Sequence, residues 1–182
     1  MGEGGEREMA KRADYDKAER AARGVIWEMA VLEPPTPIVK IVEAYKFGIC
    51  EMNLAIKFKD VSGYIDFDAQ TIVLNQADPP TRKAFTLAHE LGHRRMHWPQ
   101  LEEDHARSVV YWRSFGAGDP PDPLEQEANC FAANLLVPEA FLLRYREQPR
   151  DVIAKIFGVS PEVIEYRFRD IARRWGVANA GR

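Results

Sequence analysis

At 182 residues with 46% apolar side chains, the chain is long enough for one domain with its own core. A formal net charge of −3 supplies no global attraction to nucleic acid or to an anionic membrane. The longest apolar runs are too short to span a bilayer, and the charged start MGEGGEREMAKR leads into no apolar segment of the secretory kind. A cytoplasmic location, without direct contact to nucleic acid or membrane, is the expectation. The two cysteines, Cys50 and Cys130, stand in no metal-ligand spacing and read as reduced, mostly buried thiols.

In chain order, a short tail precedes REMAKRADYDKAERAARGVIWEMAVL, whose Ala, Glu, Arg and Lys content predicts a helix, stopped by EPPTP. A second amphipathic helix is predicted from Ile38 to about Phe47, with Gly48 as its cap. LAIKFK alternates as a strand does. GYIDF and TIVLN, joined by DAQ, read as a hairpin, so a small, mostly antiparallel sheet is expected over residues 54–75. Thr81 is the candidate N-cap of the next helix, which ends before Pro99. Residues 98–122 form a long connection of mixed signals. PLEQEANCFAANLLVP predicts a helix closed by Pro138, EAFLLRYREQ another, and RDVIAKIFGVSPEVIEYRFRDIARRW two more around a Gly-Val-Ser turn.

The stretch FTLAHELGHRRMH places His89 and His93 one turn apart on one helix face, with Glu90 beside them. Between Ala84 and Gly92 they are accompanied by no other ionisable group, so a largely buried helix would carry one polar window. Two neutral imidazoles at i and i+4 can share one ion, usually Zn2+, and the adjacent carboxylate can take a proton from the attacking water. Mn2+ or Fe2+ can occupy similar ligands.

A catalytic zinc site takes three protein ligands, and His97, Asp104, His105, Glu125 and Glu127 are the candidates for the third. On the wheel of the helix from Leu124 to Val137, Glu125, Asn129, Ala132 and Leu136 form one stripe at the edge of the buried face. Glu127 falls with Gln126, Cys130 and Asn134 on the opposite, polar side. Glu125 is therefore the expected third ligand, Asn129 the partner of a ligand imidazole, and Glu127 an outward residue. His97, one turn further along that face, reads as a helix-end histidine favoured by the helix dipole, with a substituted ligand, a gate or a hydrogen-bond partner as the alternatives. Tyr166, Arg167 and His105 are candidates to stabilise an oxyanion or contact substrate.

DVSGYIDFDAQTIVLN, FTLAHELGHRRMH, EQEANCFAANLLVP and IAKIFGVSPEVIEYRF, in that order, resemble the ImmA/IrrE family of zinc metallopeptidases, a zincin-like, gluzincin-type group. The resemblance implies an α+β zincin-like fold: N-terminal helices, the small sheet, the HExxH helix and a C-terminal helical part. It implies His89, His93 and Glu125 as zinc ligands and Glu90 as general base. It also implies an endopeptidase whose substrate is a helix-turn-helix transcriptional repressor of a mobile element or stress-response system. The domain division expected is a tail and helical extension over 1–21, the metallopeptidase domain over 22–175 and a tail over 176–182. WRSFGAGDPPDP maps to no family motif.

Two rival readings stand beside this one. AKIFGVSPEVIEYRFRDIARR has the rhythm of a DNA-binding helix-turn-helix, with Arg167, Arg169, Arg173 and Arg174. Glu162, Glu165 and Asp170 interleave with those arginines, which favours a charge-paired surface helix. The other rival is a non-catalytic zinc-containing protein that binds a repressor; Glu90 argues against it, because a structural zinc site needs no base.

Overall fold

A computed structural model describes residues 12–54, 61–98 and 122–176. The predicted strand LAIKFK beyond Leu54, the connection over 99–121 with Asp104 and His105, and both chain ends lie outside the described residues.

Helix α1, Tyr15–Glu28, opens where Asp14 accepts a hydrogen bond from the Lys17 N–H at 2.8 Å. Its i, i+4, i+7 positions Ala18, Ala22 and Val25 are fully buried. Helix α2, Ile38–Ala44, is shorter than the sequence suggested, because the chain turns at Lys46 (φ 67°) into strand β1, Gly48–Met52. Gly48 therefore begins a strand rather than capping a helix.

Strand β2, Gly63–Asp66, and strand β3, Thr71–Asn75, form the expected antiparallel hairpin. Its turn is held by Asp66 Oδ1 accepting from the Ala69 N–H at 2.9 Å. Strand β1 adds to the other side of β3 in parallel, Gly48 opposite Thr71 through Met52 opposite Asn75, so the sheet is mixed with order β1-β3-β2. As the middle strand, β3 buries Ile72, Val73 and Leu74 in succession instead of alternating.

Helix α3, Pro80–Met96, starts with proline in its first turn after Pro79, so Thr81 lies inside the helix and is not its cap. Helix α4, Pro123–Leu136, is capped by Asp122, whose Oδ1 accepts from the Leu124 N–H at 2.9 Å. Helix α4 runs between α3 and α1. Gly92 permits the close crossing with α3: a Cβ there would stand 2.9 Å from Phe131 Cδ1 and 3.4 Å from Ala128 Cα.

A short helix α5, Glu139–Leu142, and a 3-10 turn, Leu143–Tyr145, lead to α6, Arg150–Phe157, and α7, Pro161–Arg174. Gly158, at φ 67°, ends α6 in the left-handed conformation that a C-terminal cap favours. Arg167 of α7 is wholly buried; its Nε donates to the Val137 carbonyl at 3.0 Å and its Nη1 to Asp170 at 2.7 Å. Arg173 pairs with Asp170, and Arg174 with Glu19 and Glu139. Three of the four arginines of the helix-turn-helix reading are thus committed within the fold. Among the described residues no helix is long and apolar enough to cross a membrane.

Candidate metal centre

Helices α3 and α4 bring the site together at the N-terminal end of α4. The rings of His89 and His93, one turn apart on α3, point their Nε2 atoms at each other, 3.0 Å apart. Glu125, in the first turn of α4, places Oε2 3.3 Å from His89 Nε2 and Oε1 3.1 Å from His93 Nε2. Among the described residues this is the one group of three ligating side chains whose donor atoms lie within 4.8 Å of one another.

These separations fit a metal ion. Ligand bonds of about 2.0–2.1 Å in a tetrahedral set put donor atoms about 3.3 Å apart. Glu125 Oε1 is buried and accepts no hydrogen bond from a described residue, an orphan that a cation would satisfy. Burial alone would raise the Glu125 pKa, but the two imidazoles outweigh it and hold the carboxyl well below the usual range. The two rings respond in opposite senses. Burial pushes against charge at His89, but hydrogen bonding to Glu125 and the nearby Glu90 raise its pKa overall. At His93 burial prevails and the pKa falls.

Glu90, buried on α3, lies beside the backbone N–H of Ile65 in β2. Burial pushes its carboxyl up to about 7; the His89 ring and the Ile65 N–H pull it down, and Glu125 pushes it further up. A buried carboxylate next to His89 is placed to take and return a proton. Asn129, one turn beyond Glu125, has its Oδ1 3.0 Å from His89 Nδ1. An amide oxygen only accepts, so Nδ1 carries the proton and Nε2 keeps its lone pair for the cluster.

Two residues lie differently from the sequence reading. Glu127, expected to face outward, is buried, because α1 covers the side of α4 that carries Cys130 and Asn134. Its Oε1 accepts from the Asp14 N–H at 2.9 Å, and its Oε2 lies 3.0 Å from His97 Nε2 and 3.4 Å from Lys17 Nζ. His97, expected at an open helix end, is fully buried, and its Nδ1 lies 3.0 Å from His93 Nδ1. Burial pushes the His97 pKa down to about 4, against the pull of Glu127, so the ring is neutral near pH 7. A cysteine and an asparagine on the supposedly open side were the available signal, since cysteine is among the residues most often buried.

Arg167 and Tyr166 are not brought to the cluster. Arg167 is bound to Val137 at the far end of α4, about 18 Å along the axis from Glu125. Tyr166 lies by Cys130, whose Sγ donates to the Tyr15 carbonyl of α1. His105 lies outside the described residues. Among the described residues, β3 is flanked on both sides and β2 is paired on one side.

The sequence matches the family model Peptidase_M78, the IrrE N-terminal-like domain, over residues 44–169. A search of curated proteins finds no match. A solved structure described as a Mycobacterium tuberculosis transcriptional regulator superposes with a TM-score of 0.59 at 17% identity. The alignment covers 84% of this chain and 46% of that one, so the chain spans about half that structure's length. At that identity the likeness speaks to the fold.

Proposed function

The chain belongs to the IrrE N-terminal-like family of metallopeptidases, and from that premise we propose that it is a zinc-dependent endopeptidase acting on a helix-turn-helix transcriptional repressor in the cytoplasm. The convergence of His89, His93 and Glu125 beside Glu90 is the observation that carries this reading. His89, His93 and Glu125 hold the metal, and the charge of the Glu125 carboxylate offsets part of the cation's charge. Zinc, when bound, supplies Lewis-acid polarisation of the attacking water and of the scissile carbonyl.

Glu90 does the proton work. Its carboxylate accepts a proton from the water as it attacks, then delivers that proton to the leaving amine nitrogen. The Ile65 N–H lies beside the carboxylate and favours its charged form. Strand β2 pairs with β3 on one side, and Ile65 brings it alongside Glu90. Among the described residues the other side of β2 carries no strand, and an extended substrate backbone adding there would lie next to the base.

The test is direct. The zinc-loaded protein, incubated with the repressor encoded beside it, is expected to yield two fragments by intact mass. Glu90→Gln is expected to keep its zinc and lose cleavage by about 10^2–10^4-fold. An uncut repressor, or a Glu90→Gln variant as active as the parent, would remove the proposal. Elemental analysis of the protein isolated without added metal distinguishes zinc from Mn2+ or Fe2+.

A further inference from the structure

Beyond the ligands, a continuous line of hydrogen-bonding groups runs from His93 away from the cluster and ends on α1. His93 Nδ1 lies 3.0 Å from His97 Nδ1, His97 Nε2 lies 3.0 Å from Glu127 Oε2, and Glu127 Oε1 accepts from the Asp14 N–H at 2.9 Å. His93 and His97 are buried, and Glu127 is 5% exposed.

The proton positions along this line follow from its inner end. A ligand imidazole keeps a lone pair on the atom that faces the ion, here His93 Nε2, which faces His89 and Glu125. The proton of His93 is then on Nδ1 and is donated to His97 Nδ1. A His97 that accepts at Nδ1 carries its own proton on Nε2 and donates it to Glu127 Oε2. Glu127 also accepts from the Lys17 ammonium at Oε2 and from the Asp14 amide at Oε1, and both of these can only donate.

We propose that His97 and Glu127 are positioning residues for the metal, setting the tautomer and ring orientation of His93, with the N-terminus of α1 as the outer anchor. This rests on the reading of His89, His93 and Glu125 as ligands. Helix α1 precedes the segment matched by the family model, which begins at residue 44. A part of the chain outside that segment thus helps to fix a metal ligand. Groups that orient a ligand imidazole in this manner are worth about 10–100-fold in metal affinity.

The test reads metal binding rather than peptidase activity. Zinc affinity of the full chain is measured by competition with a chromophoric chelator, and the visible spectrum of the Co2+-substituted protein reports the ligand field. His97→Phe keeps an aromatic ring but removes the acceptor, and Glu127→Gln keeps shape but removes the charge. Zinc affinity is expected to fall about 10–100-fold in His97→Phe and about tenfold in Glu127→Gln, each with a shifted Co2+ spectrum. His97→Gln, whose amide can both accept and donate, is expected to recover part of the loss. A merely structural role would lower the melting temperature of the metal-free protein and leave the affinity and Co2+ spectrum of the folded protein unchanged. That outcome overturns the proposal. Should His97→Phe fail to fold, parent-like zinc affinity in Glu127→Gln overturns it equally. Glu125→Gln separates the two readings. Unchanged zinc in that variant removes the ligand assignment itself, whereas lost zinc there with parent affinity in the His97 and Glu127 variants removes this proposal alone.

Discussion

Gly63 has no room for a side chain. A Cβ there would stand 2.6 Å from the Val73 carbonyl oxygen and 2.5 Å from Thr86 Cγ2, and the first of these is backbone in the central strand, which cannot step aside alone. Gly63→Ala is therefore expected to push β2 away from β3 and α3. The destabilisation should be about 1–3 kcal/mol, the usual range for overpacking a well-filled site, read as a lower urea midpoint at unchanged slope. Ile65 lies two residues on, beside Glu90, so the same variant should also lose activity while keeping its metal. A midpoint equal to the parent's would mean that the strand has slack which these contacts deny. At this scale the sequence was informative where one helix decided the outcome. His89, Glu90 and His93 follow from spacing on α3, and Glu125 and Asn129 from the wheel of α4. The burial of His97 and the inward turn of Glu127 were missed because both depend on α1, which a wheel drawn for one helix does not contain.

Helix α7 is bound to the rest of the molecule through an asymmetric ion pair. Asp170, 6% exposed, is shared by Arg167, Arg173 and Arg174, whereas the buried Arg167 has Asp170 as its carboxylate and, among the described residues, no hydrogen-bond partner at Nη2. Removing the acid should therefore hurt more than removing the base. Asp170→Asn is expected to lower stability by about 3–5 kcal/mol, since it strands a buried charge. Arg167→Met keeps the apolar stem and leaves Asp170 with two other partners, so its effect should be nearer the 1–3 kcal/mol of an orphaned Val137 carbonyl. Chemical denaturation of both variants checks the order, and a reversed order would mean that Arg167 is not the dependent partner. The arginine-rich rhythm of α7 suggested a DNA-reading helix because spacing does not say which charges turn inward. The hairpin of β2 and β3 was legible because two short β-branched and aromatic runs joined by a turn are local signals. Strand β1 was not: its partner lies about 23 residues later, its pairing is parallel, and Ile-Cys-Glu-Met carries no alternation of its own.

The candidate metal centre joins elements that are far apart in the chain, and that sets how the whole molecule should respond to a chelator. His89 and His93 come from α3, Glu125 from α4, and the line through His97 and Glu127 ends on α1. These three helices share one apolar core through Leu87, Leu91, Phe131, Leu135, Ala22 and Val25. An ion that binds the folded chain and not the unfolded one stabilises it by about 4 kcal/mol at a thousandfold excess over its dissociation constant. For a chain of this size each kcal/mol moves the melting temperature by about 2–4 °C, so a chelator should lower it by about 8–16 °C. The metal-free protein should still unfold cooperatively, because the core that packs α3, α4 and α1 does not include the ligands. Glu125→Gln should melt at the same temperature with and without chelator, since the site has lost its anionic member. Scanning calorimetry of the two proteins in both conditions decides this. A parent protein indifferent to chelator would mean that no ion is held between α3 and α4.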